Sequence, residues 1–411
     1  MREYEVLELA NGIRVIHKEI SHTKIAHVSI MLDIGSRDET EEEQGLTHFW
    51  EHMAFKGTKK RKAFHIINRL ETLGGELNAY TTKEKICFYA SVLQNHLDKA
   101  VELLADITFN STFPDRQIEK ERMVILEEMS MYKDTPEDAI QDELDELVFG
   151  KHPLGSNILG TDKTVASFKK AHFEQFLAKH LNTTRIIVSS VGNYPMKKLE
   201  RIINKYLVDI PYKNHTIGRL HFEHYEPSNG KQHRDIMQAH YAAGIPSYGL
   251  KDEKRIPFFL LTNVLGGPAM TSRLNLALRE KYGYVYGADA HFTSYTDVGM
   301  FFILFATDPK HMNKCKKLVE KELDRLKNKP LGALQLHNAK QQLKGQLAMS
   351  EENNNSMMLM MAKSLLDLQT VPSLNNLFKK IDNATSEQLM ELAVENFDTS
   401  QMSTLTYLPQ S

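Results

Sequence analysis

The order of secondary-structure elements predicted along this 411-residue chain occurs twice. The alternating apolar strand at 26–30 has a counterpart at 239–243, and the turns that follow, 35–39 and 249–253, share a glycine, a basic residue and an Asp-Glu pair. A helix, a strand and a charged helix then follow in matching order. A repeat of about 200 residues constrains the fold, because each copy must bury the same apolar faces. The sequence therefore predicts an α+β protein of two similar α/β-sandwich-like halves, each a mixed sheet flanked by helices, derived from a decayed internal repeat.

The boundary between the halves is predicted from composition. A polar stretch with asparagine, proline and glycine separates the two copies, and such residues are typical of linkers. We therefore expect an N-terminal α+β domain at 1–211, a linker at 212–231 and a C-terminal α+β domain at 232–411.

Charge and cysteine content exclude several classes of protein. The 51 basic and 53 acidic residues give a net charge of −2, which lacks the basic excess typical of nucleic-acid binding. The two cysteines, Cys87 and Cys315, are too far apart for a CxxC zinc motif and too few for a disulfide framework. The chain opens without an apolar signal segment, and its apolar runs are shorter than the ~20 residues of a membrane helix. We expect a cytoplasmic protein with neither a nucleic-acid nor a membrane partner.

The most specific motif is His48-Phe49-Trp50-Glu51-His52. Positions i and i+4 share one face of a helix, so both histidines can present imidazoles to one metal ion. Glu51 can reach a water molecule made acidic by the metal and take its proton as general base. The alternative is a solvated helix face that merely contains two histidines.

A catalytic zinc needs a third protein ligand, which we expect on a later helix. The apolar stripe of that helix includes Ile125 and Met129, and Glu121 and Glu128 both lie on one flank of it, whereas Glu127 points to solvent. The pattern favours Glu128 as the ligand and Glu121 as a carboxylate that orients a ligand or water. A buried ion pair with a nearby cation is the alternative for Glu121.

These residues give the chain a clear family resemblance. An H-x-x-E-H motif followed by a glutamate about 75 residues later, as here at Glu128, is the pattern of pitrilysin-type (inverzincin) metallopeptidases. The segments Gly45-Leu46-Thr47 and Gly74-Gly75 also match, and the chain is most similar to the subgroup with the mitochondrial processing peptidase β-subunit and its bacterial homologues. Trp50 departs from the family, where an aliphatic residue is more usual. The resemblance implies one Zn²⁺ per chain and metalloendopeptidase activity.

The resemblance extends into the second half. The arginine and tyrosine of the family, seven residues apart, correspond to Arg279 and Tyr286. They imply contacts with bound substrate, since a phenol can donate to an oxyanion and a guanidinium can hold a carbonyl. Asn78 and Ala79 begin a strand, predicted at 77–93, that by resemblance pairs with the substrate backbone. The alternatives are a surface arginine, a core tyrosine and an ordinary edge strand.

The sequence therefore predicts a zinc-dependent endopeptidase that hydrolyses peptides or unfolded segments. The resemblance implies an active chamber of four such domains closed as a clamshell, and one chain supplies two. A homodimer is the simplest arrangement, because this chain has both the zinc motif and the Arg/Tyr pair. A heterodimer with a separate partner is a further possibility. The alternative from another class is a non-catalytic scaffold or partner subunit, against which the complete histidine motif argues.

Overall fold

The computed structural model describes residues 4–215 and 218–410. The chain forms two compact units that are each discontinuous in sequence. The first unit comprises Met1–Met129, Ser156–Arg219 and Met349–Pro372, and the second comprises Ser130–Gly155, Leu220–Ala348 and Ser373–Ser411.

Each unit contains one β-sheet. The strands of the first sheet are β1 (Glu5–Glu8), β2 (Arg14–Glu19), β3 (Ile25–Leu32), β4 (Glu76–Thr81), β5 (Ile86–Leu93) and β6 (Ile186–Gly192). The strands of the second sheet are β7 (Asn229–Arg234), β8 (Ala239–Tyr248), β9 (Val285–Ser294), β10 (Val298–Thr307) and β11 (Ser403–Pro409).

Helices make up most of the remaining structure. They are α1 (Leu46–Ala54), α2 (Ala63–Glu71), α3 (Leu97–Phe109), α4 (Asp115–Asp134), α5 (Pro136–Phe149), α6 (Asp162–Ser167), α7 (Lys170–His180), α8 (Met196–Leu207), α9 (Arg255–Gly266), α10 (Met312–Asn328), α11 (Ala333–Glu352), α12 (Asn354–Leu368), α13 (Leu374–Asn383) and α14 (Ser386–Asn396). Within the described ranges, none of them combines the length and the apolar character needed to cross a bilayer.

The two sheets have the same topology, which confirms the predicted repeat. The first sheet has the order β1-β2-β6-β3-β5-β4 and the second β7-β11-β8-β10-β9. In each sheet one pair is parallel, β2 with β6 and β7 with β11, and the other neighbours are antiparallel. Both are therefore mixed sheets flanked by helices, and β1 is an additional strand of the first.

Each sheet is covered on one face by a helix from the other half of the sequence. Helix α12 packs on β3 and β6, and helix α5 packs on β8 and β11, which are the equivalent strands. Helix α12 contains a run of methionines, of which Met358 and Met361 are buried in one apolar cluster with Met31 and Ile187 of the first sheet. The predicted domains at 1–211 and 232–411 stay a prediction, and the compact units differ from them by these two helices.

The strand predicted at 77–93 is two strands. Residues 82–85 form a tight turn between β4 and β5, in which the backbone N–H of Thr82 donates to the carbonyl of Lys85 (2.7 Å). Thr82 Oγ1 also bonds the Lys85 N–H and its carbonyl. This turn was not predicted from the sequence, because residues 82–85 contain neither glycine nor proline.

Burial of α12 against the first sheet predicts a matched difference between two methionine substitutions. Met358→Ala removes a fully buried side chain and should lower the free energy of unfolding by about 2–5 kcal/mol. Met349→Ala, at a position that is 68% exposed, should change it by less than about 0.5 kcal/mol. Urea denaturation of both variants checks this, and equal effects would contradict the described packing of α12.

Candidate active site

Helix α1 has one apolar side and one side that carries the two histidines of the motif. Phe49, Trp50 and Met53 are fully buried, and the Trp50 indole packs edge-on against Phe88 of β5 with ring centroids 5.7 Å apart. Trp50 therefore contributes to the core between α1 and the sheet. The 3.6-residue period of the helix then turns the histidines of the motif towards another neighbour.

The start of α1 is fixed by Gly45 and Glu39. Gly45 has φ of +90°, and a Cβ there would lie 2.5 Å from the carbonyl oxygen of Leu159, so only glycine fits. The buried Glu39 carboxylate accepts the N–H groups of Gly45 (2.8 Å) and Thr47 (2.6 Å), which would otherwise have no partner at a helix N-terminus. Burial raises the pKa of Glu39 to about 8, although the hydrogen bonds from Thr47 and Gly45 act to lower it. The sequence gives little indication of this role for Glu39, since an acidic residue shortly before a helix is its only signal.

The structure brings His48, His52 and Glu128 together. His48 Nε2 lies 3.7 Å from Glu128 Oε1, and His52 Nε2 lies 3.5 Å from Glu128 Oε2. One nitrogen or oxygen from each of the three residues lies within 4.8 Å of the others. Glu128 lies on α4, partly buried, whereas Glu127 is exposed. The helical period of α4 thus places Glu128 beside the two histidines and Glu127 on the exposed side.

These three groups suit a zinc ion. Donors bound tetrahedrally to zinc, with bonds of about 2.0–2.1 Å, lie about 3.3 Å from one another, close to the separations in this cluster. Burial, together with the neighbouring His52, lowers the pKa of His48 to about 3, so His48 is a neutral imidazole with a free lone pair. Two imidazoles and a carboxylate are also a ligand set of catalytic zinc sites.

Glu121 contacts a metal-ligand candidate and a cation at the same time. Its Oε2 lies 3.3 Å from His52 Nδ1, and its Oε1 lies 2.8 Å from Lys56 Nζ. Burial raises the pKa of Glu121, but the hydrogen bonds from His52 and Lys56 outweigh it and leave the pKa lowered. The two alternatives for Glu121 therefore coexist: it pairs with a cation and can orient the His52 ring. Lys56 was not singled out from the sequence, although its position four residues after His52 is a signal.

Glu51 lies in a different environment. Thr81 Oγ1, at the end of β4, donates to Glu51 Oε2 over 2.6 Å. Burial raises the pKa of Glu51, although Thr81 and His52 act to lower it. A raised pKa makes a carboxylate a stronger base, and such a group can take a proton and later return it. Thr81 belongs to the strand predicted at 77–93, but its contact with Glu51 was not predicted.

Asn78 and Ala79 lie on β4, at one end of the first sheet. They pair with Tyr89 and Phe88 of β5, and within the described residues the opposite edge of β4 has no strand beside it. The Asn78 side-chain oxygen accepts the N–H of Ala79 (2.9 Å). An edge of this kind can pair with an added strand.

Arg279 and Tyr286 lie side by side in the second unit. Arg279 belongs to a π-helical turn, Asn275–Glu280, and Tyr286 is the second residue of β9. The guanidinium carbon lies 5.3 Å from the centroid of the Tyr286 ring. Tyr286 is 89% exposed, so the alternative of a core tyrosine is wrong.

The fold and the cluster together define a class of protein: an α+β chain with a repeated domain and a candidate zinc site on its first helix. Residues 14–162 match the family described as insulinase (peptidase family M16), and residues 167–343 match the peptidase M16 inactive domain. A protein of Bacillus subtilis named "Uncharacterized zinc protease YmxG" is 32% identical, and the match covers 94% of each chain. The chain therefore belongs to peptidase family M16, the insulinase family.

A second relative agrees with this assignment, and two solved structures share the fold. An "Uncharacterized zinc protease" of Rickettsia felis is 32% identical over 85% of this chain and 84% of that one. A structure described as a peptidase M16 inactive domain from Pseudomonas fluorescens has a TM-score of 0.92 at 20% identity, covering 99% of this chain and 98% of that chain. A protease from Helicobacter pylori has a TM-score of 0.89 at 22% identity, covering 99% of both. The two structures bear on the fold alone.

The contact between Glu121 and His52 predicts a loss of metal affinity without loss of a ligand. Glu121→Ala should weaken zinc binding about 10- to 100-fold, because the His52 ring loses the carboxylate that orients it. The exposed Glu127→Ala variant, on the same helix, should bind zinc as the unmodified chain does. Competition with a chromophoric chelator measures both affinities. Equal affinities in the two variants would show that Glu121 serves only its ion pair with Lys56.

Proposed function

We propose that this chain is a zinc-dependent endopeptidase that hydrolyses peptides or unfolded segments. The observation that carries the proposal is the cluster of His48, His52 and Glu128, with the Glu51 carboxylate one turn of helix away from His48. The relatives named zinc proteases support the same conclusion. The proposed ligands of one zinc ion per chain are the Nε2 atoms of the two histidines and the carboxylate of Glu128.

The chain's own residues would provide the proton transfers. A zinc ion in such a site is a Lewis acid that lowers the pKa of water towards neutrality. Glu51 takes a proton from the attacking water and then gives it to the amine that leaves when the peptide bond breaks. Burial favours its protonated form, and the bond from Thr81 keeps the carboxyl group in place for both transfers.

Further groups would hold the substrate. The free edge of β4, at Asn78 and Ala79, can pair with an extended peptide backbone. Such pairing uses main-chain hydrogen bonds, which any extended peptide can form. The exposed Tyr286 phenol can donate to the oxyanion that forms at the scissile carbonyl, and Arg279 can hold a substrate carbonyl or side chain. Glu121 would act as a positioning residue through His52.

Replacing Glu51 tests the proposed general base separately from metal binding. Glu51→Gln should leave one zinc bound per chain but reduce turnover of a quenched peptide library at least about 10²- to 10⁴-fold, since an amide cannot take the proton. Glu127→Gln, an exposed position on α4, should keep the activity. Elemental analysis and fluorescence measure the two properties.

The outcomes of this experiment separate the two functional classes. If the Glu51→Gln variant binds zinc and still turns over the peptides, Glu51 is excluded as the general base. A chain that takes up no zinc and shows no turnover would instead support the alternative, a non-catalytic scaffold or partner subunit.

We further propose that the active form is a homodimer in which each zinc site uses Arg279 and Tyr286 of the partner chain. The support is that one chain carries both sets of residues and that the family resemblance implies a chamber of four domains. Light scattering after size exclusion gives the mass of the assembly. A mass of one chain would contradict the dimer.

Mixing two inactive variants tests which chain supplies the tyrosine. Tyr286→Phe should lower kcat about 10²- to 10³-fold, as expected for loss of an oxyanion donor. When Tyr286→Phe and Glu51→Gln chains exchange subunits, one site in each mixed dimer has both intact residues if they come from different chains. Activity should then return to about one quarter of the wild-type value. A mixture of Tyr212→Phe, another exposed tyrosine, with Glu51→Gln controls for dilution of active chains. No recovery in the first mixture would place both residues in one chain.

A further inference from the structure

The second unit contains a cavity that the proposed peptidase mechanism does not use. It has a volume of about 480 Å³, within the range of about 300–1,000 Å³ typical of small-molecule sites. Its walls come from the π-helical turn Asn275–Glu280, from Arg273 just before that turn, from α10 and from the segments that follow the turn and α10. π-helical turns are rare and frequently occur at functional sites.

The charged residues around this cavity are strongly unequal in sign. Five cations line it, and the carboxylate among the lining residues is Glu322. The cations are Arg273, Lys281, Lys321, Arg325 and Lys329. An excess of one sign over a concave surface raises the local potential and attracts ligands of the opposite sign.

The carboxylate of Glu322 already forms an ion pair with one of these cations. Glu322 is buried and forms a close ion pair with Arg325 one turn along α10. Arg273 is the second neighbour of Glu322, at 3.8 Å, too far for a hydrogen bond. In the described part of the chain, the Arg273 guanidinium makes no hydrogen bond, and Lys321 and Lys329 have no carboxylate within ion-pair distance.

The cavity also has an apolar wall. Leu276, Ala277, Leu318 and Pro330 line it together with the ring of Tyr282, which stacks on Tyr284 at a centroid distance of 5.3 Å. A lone inorganic anion would not use this surface. A small organic molecule with several phosphate groups would place its charges on the cations and its organic part on the apolar wall.

From these observations we infer that the cavity between the Asn275–Glu280 turn and α10 is a binding site for a small organic polyphosphate. Guanidinium groups bind phosphate in a bidentate manner, and Arg273 has donors free to do so. The lysines contribute point charges. The inference does not depend on the zinc site or on peptidase activity.

Calorimetric titration with adenosine triphosphate and with inorganic triphosphate tests the inference on the full-length chain. Both should bind at about 0.15 M salt and more weakly as salt screens the charges. Adenosine triphosphate should bind more tightly, because only its nucleoside can use the apolar wall, and equal binding of the two compounds would contradict an organic ligand. Absence of binding by either compound at millimolar concentration would overturn the inference.

Two pairs of exposed lysines provide matched variants. Lys321→Gln with Lys329→Gln should weaken binding at least about tenfold, and replacing the same pair with arginine should preserve it. Lys379→Gln with Lys380→Gln removes the same charge from α13 of the same unit, outside the cavity, and should change the affinity less than about twofold. Equal weakening by both glutamine pairs would show non-specific attraction to a basic surface. Triphosphate that binds at the metal centre would respond to neither pair, and this result would also overturn the inference.

Discussion

The candidate active site depends on how α1 packs against the first sheet. Burial of Phe49, Trp50 and Met53 fixes the rotation of the helix about its axis, and Gly45 with Glu39 fixes its start. With rotation and start both fixed, the imidazoles at 48 and 52 cannot turn away from α4. A metal site requires this rigidity, because its ligand positions must be held to within a fraction of an ångström before the ion arrives.

The charges around α1 explain why this cluster is suited to a cation. Three carboxylates lie near the two imidazoles: those of Glu51, Glu121 and Glu128. Of these negative charges, Lys56 neutralises only that of Glu121. Burial raises the pKa of both Glu51 and Glu128, as expected for carboxylates that lack a compensating positive charge. A divalent ion between the histidines and Glu128 would supply that charge. Glu121 differs because the hydrogen bonds from His52 and Lys56 outweigh the effect of burial and leave its pKa lowered.

The sequence predicted the parts of the structure that follow from local periodicity. The repeat follows from the matching order of elements in the two halves. The shared face of His48 and His52 and the exposure of Glu127 follow from the helical period within one segment. The contacts of Glu39, Lys56 and Thr81 join segments far apart in sequence or depend on the exact start of a helix, and one sequence carries little signal for them. The placement of α12 on the first sheet could not be predicted for the same reason, since an apolar helix face does not specify which sheet it covers.

Comparison of the two units shows what the metal site requires of the fold. Helix α9 follows β8 as α1 follows β3, and it packs at edge strand β9 as α1 packs at edge strand β4. In α9 the residues Phe258, Leu260 and Leu261 are all buried, whereas α1 buries a histidine on its polar side. A buried imidazole gains little from apolar surroundings, whereas burial of the apolar side chains of α9 stabilises the second unit. The same architecture thus supports a polar cluster in one unit and an apolar core in the other, while Tyr286 on β9 stays exposed. The second unit thus keeps the edge strand that carries the phenol, although its helix α9 has no counterpart of His48 and His52.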